Sequence, residues 1–252
     1  MPSPDPYGVS LKTASGDPLF CGGTFNRGLC YQYNFESGSW FNGPDLLGQR
    51  CASAVAELAP GTYWIMSGLD EDDFYTSEYY KDGEFIPGPA LPLYGFNIHP
   101  CAVQVTEDIT FFGNDNAFLY RNSTGEFEDI SEGMPYPFYE SSCGAATMSD
   151  GSRIVVVAGG NINDERLTSV AILNLETNTW DTGPELPQQL SLASVVPTES
   201  SFLIVGGYGS DIYDTILEFD PVLMAWVQKE KALAKKRYGA FAVQVEKQKY
   251  CP

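Results

Sequence analysis

The sequence predicts an all-β protein of the β-propeller class, and two recurring features carry this prediction. Five short hydrophobic runs end in a glycine, and these glycines are separated by 45, 45, 47 and 47 residues: Gly23, Gly68, Gly113, Gly160 and Gly207. An aromatic residue follows each glycine after 14 to 20 residues: Trp40, Phe85, Phe127, Trp180 and Trp226. A period of this length is typical of propeller or solenoid repeats.

Each repeat contains four short strand-like segments in the same order. The first consists of small and β-branched residues and precedes the glycine run, at 7–11, 51–55, 101–105, 143–148 and 192–196. The second is the hydrophobic run that ends in the glycine, and the fourth carries the aromatic residue. The third lies between the glycine and the aromatic residue, at 29–33, 77–80, 117–120, 170–174 and 216–220. A four-stranded antiparallel unit of this size cannot bury both of its apolar faces alone, so the units are expected to stack around a common axis.

The repeat resembles the kelch repeat in its double glycine, its Tyr or Phe near the third strand, its Trp on the fourth strand and its following Gly-Pro. Repeats four and five have both glycines and the Trp, whereas repeat two has Ser67-Gly68 and repeat three has Phe112-Gly113. The resemblance implies one kelch β-propeller domain over 1–252. Its blades are expected at about 7–45, 46–90, 95–135, 140–185 and 190–230, with a partial blade at 237–252.

The partial blade follows from an alignment of the segment that begins at Tyr238 with the segment that begins at Tyr7. Cys251 then falls opposite Cys21. Either the terminal strands share one blade, or the chain is a piece of a propeller with six or more blades. The second explanation is favoured, because both ends of the chain supply the same two strands.

Charge and hydropathy exclude several classes of partner. The chain has 33 acidic and 14 basic residues, for a net charge of -19. This balance argues against binding to nucleic acid, which depends on neutralising phosphates, and against binding to an anionic membrane surface. The longest apolar runs are strand-sized and far shorter than the roughly 20 residues that span a bilayer. No membrane insertion is expected, and residues 1–6 show no signal peptide.

The cysteines and one sequon bear on the compartment. Cys21 and Cys30 flank a short loop between neighbouring strands, which predicts a disulfide, with buried thiols as the open alternative. Cys51, Cys101 and Cys143 occupy the same phase of successive repeats, so they are interpreted first as inherited positions and second as a Cys101–Cys143 pair. Asn122 begins a glycosylation sequon, Asn-Ser-Thr, in a turn. Together these features favour an extracellular or secreted protein, with a cytoplasmic location as the alternative.

Little in the sequence points to catalysis. His99 is the single histidine, so catalytic triads and histidine metal sites would all have to use it. The cluster 70–73 lacks the spaced ligands of a calcium loop and is interpreted as a solvated loop. We therefore expect no catalytic residue, no metal site, no cofactor and no enzymatic activity. The alternative is a fragment of a kelch-like enzyme, directed at carbohydrate or at oxidation, whose catalytic residues lie partly outside the chain.

Function is then expected on the loops. The resemblance to kelch propellers implies that loops joining second to third strands share one rim with the connections between blades. Acidic and aromatic residues are concentrated there, which predicts binding of a protein or peptide, in particular a basic one. The predicted binding residues are Asp70, Asp72, Asp73, Phe74, Tyr75, Asp164, Glu165, Tyr208, Asp211 and Tyr213. The alternative is that the acidic residues only keep the domain soluble.

Basic residues are concentrated in the connection that follows the fifth repeat: Lys229, Lys231, Lys235, Lys236 and Arg237. Residues 228–236 have the composition of a helix. This segment is expected to be a solvated linker, with docking against the acidic rim or against an acidic partner as the alternatives.

Overall fold

The computed structural model describes residues 6–68, 76–92, 99–240 and 242–244. These ranges contain 22 β-strands and no helix. Twenty of the strands form five four-stranded antiparallel sheets, and the other two form a small hairpin. The predicted fold class, an all-β propeller with five four-stranded blades, is confirmed. In the described part of the chain, no helix is long and apolar enough to cross a membrane.

The chain divides into two compact units, and unit 1 comprises residues 1–98 and 241–252. It holds two blades. The strands of blade 1 are β1 (Val9–Lys12), β2 (Pro18–Cys21), β3 (Cys30–Asn34) and β4 (Ser39–Asn42). The strands of blade 2 are β5 (Ala54–Ala59), β6 (Thr62–Met66), β7 (Ser77–Lys81) and β8 (Glu84–Pro87).

Unit 2 comprises residues 99–240 and holds three blades. The strands of blade 3 are β9 (Cys101–Gln104), β10 (Ile109–Gly113), β11 (Ala117–Arg121) and β12 (Glu126–Asp129). The strands of blade 4 are β13 (Ser142–Thr147), β14 (Arg153–Ala158), β17 (Val170–Asn174) and β18 (Thr179–Thr182), with the hairpin β15 (Asn161–Ile162) and β16 (Glu165–Arg166) between β14 and β17. The strands of blade 5 are β19 (Ser194–Pro197), β20 (Phe202–Val205), β21 (Ile216–Asp220) and β22 (Ala225–Gln228).

The fourth-strand tryptophans of unit 2 pack between blades, as the repeat predicts. The Trp180 ring lies 6.1 Å from that of Phe111 and 5.2 Å from that of Phe138, both of which precede blade 4 in the chain. Its indole N–H donates to the carbonyl of Ile130 at 2.7 Å. Trp226 likewise donates to the carbonyl of Pro184 at 2.9 Å. Each tryptophan therefore contributes a hydrogen bond in addition to its apolar packing between blades.

The double glycines are required because the backbone of the next connection approaches them closely. In blade 4, the N–H of Gly160 donates to the carbonyl of Leu190 at 2.8 Å. A Cβ on Gly159 would lie 2.2 Å from the same oxygen, and Gly159 has a φ of 68°. Likewise, a Cβ on Gly22 would lie 2.5 Å from the carbonyl oxygen of Arg50, and a Cβ on Gly206 would lie 2.5 Å from that of Arg237. Only glycine combines this conformation with this approach.

Blade 2 departs from the double glycine and compensates with a buried arginine. Ser67 takes the first glycine position with a φ of 59°, and its carbonyl accepts a hydrogen bond from Arg50 Nη1 at 2.7 Å. Arg50 Nε pairs with Glu78 Oε1, and the two side chains are 7% and 1% exposed. The second carboxylate oxygen of Glu78 accepts from the N–H of Leu47 at 2.8 Å. This buried ion pair ties the connection between blades 1 and 2 to strand β7.

A left-handed residue stands two positions before each inner strand. The positions are Tyr7, Ala52, His99, Glu140 and Leu192, with φ between 53° and 66°, and Gly239 continues the series with a φ of 54°. Backbone N–H groups link some of them: Ala52 donates to Tyr7, Leu192 to Glu140 and Gly239 to Leu192, over 2.6 to 3.0 Å. In backbone conformation Gly239, and not Tyr238, corresponds to Tyr7, so the predicted alignment is wrong by one residue. Most of the predicted partial blade, including Cys251, lies outside the described residues.

The described part of the chain contains two disulfides. Cys21 and Cys30 face each other across β2 and β3 with their Cα atoms 4.1 Å apart, as predicted. Cys101 pairs with Cys143, whose Cα lies 5.8 Å away on the inner strand of the next blade. The first interpretation of these two cysteines, as inherited positions without a bond, is therefore wrong. Inner strands converge enough to bring equivalent positions within bonding reach. Cys51 is buried, with its sulfur 3.8 Å from Thr24 Oγ1.

Candidate protein-binding rim

The candidate site is one end of the three sheets of unit 2, which we call the unit 2 rim. It is built from the loops between second and third strands, at 114–116, 159–169 and 206–215, and from the connections at 130–141, 183–193 and 229–240. Backbone hydrogen bonds join each loop to a connection. Phe138 donates to Asn114, Leu190 to Leu167 and Arg237 to Tyr213, over 2.8 to 3.0 Å. The loops of the rim are therefore held by main-chain contacts.

Three side chains of the rim form a cluster: Arg166, Tyr208 and Tyr238. The rings of Tyr208 and Tyr238 are 5.6 Å apart and inclined by 37°. The guanidinium carbon of Arg166 lies 4.7 Å from the centroid of the Tyr208 ring, within cation–π range. Tyr208 exchanges two backbone hydrogen bonds with Ser191, at 2.7 and 2.8 Å. Tyr238 is 41% exposed and leaves part of the cluster open to a partner.

The hairpin β15–β16 explains why Arg166 reaches Tyr208. Asn163 and Asp164 occupy its turn with φ values of 52° and 66°, the backbone of a type I′ turn. Arg166 Nη1 also donates to the carbonyl of Asp164 at 2.9 Å. The same turn leaves Asp164 and Glu165 exposed. Two carboxylates and the guanidinium of Arg166 thus project from a single six-residue hairpin, 161–166.

The loop of blade 5 carries an ion pair with the last connection. Lys236 Nζ contacts Asp211 Oδ2, and both side chains are largely exposed. The hydrogen bond from Lys236 lowers the pKa of Asp211, and the same bond raises the pKa of Lys236. The hydroxyl of Tyr213 accepts from the backbone N–H of Ser210 at 3.2 Å, so this tyrosine also folds its own loop.

A second polar cluster lies between blades 3 and 4. The Tyr139 hydroxyl donates to Asp115 Oδ1, and burial raises the pKa of the Asp115 carboxyl. Asn161 Nδ2 donates to Glu140 Oε2 at 3.3 Å. These two acidic side chains are engaged by neighbours, whereas Asp164 and Glu165 stay open to solvent. The β15–β16 turn therefore presents two exposed carboxylates on the rim.

The structure brings part of the predicted site together. Asp164, Glu165, Tyr208, Asp211 and Tyr213 all lie on the unit 2 rim. The other predicted residues lie outside the described ranges: Asp70, Asp72, Asp73, Phe74 and Tyr75. Sequence reasoning missed Arg166 and Tyr238 as members of the cluster. The signals that could have identified them are their positions, Arg166 in a rim loop and Tyr238 in a connection.

The basic connection at 229–240 is not a helix, so the helical prediction for 228–236 is wrong. Its backbone N–H groups donate hydrogen bonds to blade 5 and its loop: Lys229 to the carbonyl of Ile216 at 2.9 Å and Leu233 to the carbonyl of Asp214 at 2.8 Å. Two lysines pair with acids of blade 5, Lys229 with Glu218 at 2.5 Å and Lys236 with Asp211. The segment is exposed but docked along blade 5 and its loop.

In the described ranges, no group of three or more His, Cys, Asp or Glu side chains is placed to hold a metal ion. His99 is half-buried and left-handed, and burial lowers its pKa to about 4. The imidazole is therefore neutral at neutral pH.

The low pKa of His99 predicts a pH dependence of stability. Between about pH 6.5 and 4 the unfolded chain binds the His99 proton and the folded chain does not, so stability falls as the pH falls through this window. We expect wild-type protein to lose about 2 kcal/mol more than His99→Asn between pH 7 and pH 5. Asparagine tolerates the left-handed backbone and does not titrate. Urea unfolding at both pH values measures this, and equal losses in the two proteins would contradict it.

Comparison with known proteins adds no family. No protein-family model matches the chain, and no curated protein matches it either.

Proposed function

We propose that this protein is a non-catalytic interaction module that binds a protein or peptide on its loop rim. The observation that carries the proposal is the cluster of Arg166, Tyr208 and Tyr238 on loops held by main-chain hydrogen bonds. Aromatic and arginine side chains on a rigid support are the groups that dominate binding energy in protein interfaces. Propeller folds commonly mediate such interactions.

The preferred partner is basic. The chain has a net charge of -19, and the exposed Asp164 and Glu165 stand beside the cluster. An acidic field accelerates encounter with a basic partner, and the tyrosines supply the buried contact.

Selection of displayed peptides on the immobilised protein tests this proposal. We expect enrichment of basic peptides, and Tyr238→Ala is expected to weaken the selected peptides by at least about tenfold. Asp164→Ala with Glu165→Ala is expected to slow association and to reduce its dependence on salt. Glu126→Ala, an exposed acid on β12, is the control and should bind as wild type does. Selected peptides that are indifferent to all rim variants would refute the proposal.

We also propose that the propeller is of the kelch type. The support is the recurring double glycine, whose N–H and missing Cβ accommodate the carbonyl of the next connection in blades 1, 4 and 5. The fourth-strand Trp and the following Gly-Pro agree with the same family.

The two disulfides support an extracellular location, since such bonds persist in oxidising compartments.

We propose that Asn122, in the turn between β11 and β12, is glycosylated in the secreted protein. Protein secreted from mammalian cells should lose the mass of one glycan on treatment with an N-glycosidase, and Asn122→Gln should not. Identical masses before and after treatment of the wild type would contradict this.

A further inference from the structure

A cleft of about 460 Å³ lies in unit 1, on the loop between β2 and β3 of blade 1. Its lining residues are Thr24, Phe25, Asn26, Arg27, Gly28, Leu29 and Gln49. The volume falls in the range of sites that bind small ligands or a few side chains of a peptide. None of these residues belongs to the cluster on the unit 2 rim.

The apolar residues of the cleft are unusually exposed. Phe25 is 77% exposed, the highest value among the large hydrophobic side chains of the described ranges, and Leu29 is 43% exposed. Two such residues in one seven-residue lining favour an apolar or aromatic group as occupant.

Arg27 is the one charged residue in the lining, in a protein with a net charge of -19. It is half-buried, and none of the ion pairs or side-chain hydrogen bonds of the described residues involves its guanidinium. Gln49, which is exposed, adds amide groups to the same lining. A guanidinium in this setting matches a carboxylate, with which it forms paired hydrogen bonds.

The loop that carries these groups is fixed. The Cys21–Cys30 disulfide closes its base. Arg27 accepts a backbone hydrogen bond from Arg50 at 2.7 Å, and Gly28 accepts one from Leu46 at 2.9 Å. Because the backbone of the loop is already held in place, an occupant does not have to order it.

We propose that this cleft binds a peptide segment that presents a carboxylate next to an aromatic or large apolar side chain. The carboxylate pairs with Arg27, and the apolar side chain packs on Phe25 and Leu29. This preference is for an anion, opposite to that of the unit 2 rim, so the two sites can be tested independently.

The test uses two probes, N-acetyl-phenylalanine, which is an acid, and N-acetyl-phenylalanine amide, which is uncharged. Binding of each probe is measured from the chemical shifts of backbone N–H groups in NMR spectra of the labelled full chain. We expect the acid to shift the amides of Gly28 and Leu29 and to bind about tenfold more tightly than the amide probe. Arg27→Gln should abolish this preference, and Phe25→Ala should weaken both probes. Arg121→Gln, which removes one charge from β11 in unit 2, is the control and should preserve the preference.

Equal binding of the acid and the amide, shifts confined to other residues, or a preference that survives Arg27→Gln would overturn the proposal. Unchanged resonances of blades 2, 4 and 5 in each variant will show that it is folded. Two further probes separate the sources of the carboxylate: N-acetyl-Gly-Phe carries it at the chain terminus, and N-acetyl-Asp-Phe-amide carries it on a side chain. Binding of either identifies the source and supports the proposal, whereas binding of neither contradicts it. Loss of peptide binding in the Tyr238→Ala variant leaves this result untouched.

Discussion

Arg50→Met is expected to lower the free energy of unfolding by about 3–5 kcal/mol. The substitution leaves the Glu78 carboxylate, which is 1% exposed, in the interior without its guanidinium partner. It also removes the hydrogen bonds from Arg50 to the Ser67 carbonyl and to Thr76. Methionine keeps most of the volume of the arginine stem, so the loss reports on charge and hydrogen bonding. Urea unfolding at pH 7 measures it.

Two further variants give this prediction its controls. Arg50→Met combined with Glu78→Gln removes the uncompensated charge, while the amide oxygen can still accept from Leu47, so the double variant should recover about 1–2 kcal/mol. Arg121→Met breaks the ion pair between Arg121 and Glu128, in which both side chains are 40% exposed. Because the pair is exposed, this variant should lower the free energy of unfolding by less than about 1 kcal/mol. A double variant that is less stable than Arg50→Met would contradict the assignment to buried charge.

Gly159→Ala is expected to cost about 4 kcal/mol, from two sources. A left-handed alanine costs about 1–2 kcal/mol in backbone conformation. The new Cβ would lie 2.2 Å from the Leu190 carbonyl, so the connection must move and the 2.8 Å hydrogen bond from Gly160 is lost. Thermal or urea unfolding measures the total.

Gly151→Ala isolates the conformational part. Gly151 also has a positive φ, 88°, but nothing lies within 4 Å of the position that its Cβ would take. We expect this variant to lose only about 1–2 kcal/mol. Equal losses at Gly151 and Gly159 would show that the carbonyl contact is not the reason for the double glycine.

The strands could be predicted because each is a local pattern repeated five times. The predicted segments 170–174 and 216–220 coincide with β17 (Val170–Asn174) and β21 (Ile216–Asp220). The Cys21–Cys30 disulfide was predictable for the same reason, since both residues belong to one hairpin. The double glycine could be recognised, but its partner, a carbonyl about 30 residues later, has no sequence signature.

Contacts between repeats were harder to predict. The period places Cys101 and Cys143 at equivalent positions but does not give the distance between inner strands, so the sequence alone does not predict their bond over two free thiols. Helix propensity failed at residues 228–236, because main-chain hydrogen bonds to blade 5 outweigh it. The Arg166 and Tyr208 contact depends on the type I′ turn at Asn163 and Asp164, for which the sequence offers no glycine signal.

The left-handed series before the inner strands has a consequence for how this fold can change. Six different residue types occupy it: Tyr7, Ala52, His99, Glu140, Leu192 and Gly239. The bonds that join Tyr7 to Ala52, and Glu140 through Leu192 to Gly239, involve main-chain atoms only. The junction therefore does not depend on a hydrogen bond from any side chain. Mutation can alter the side chain at each of these positions, in nature or by engineering, and leave the main-chain bonds in place, provided that the new residue tolerates the left-handed backbone.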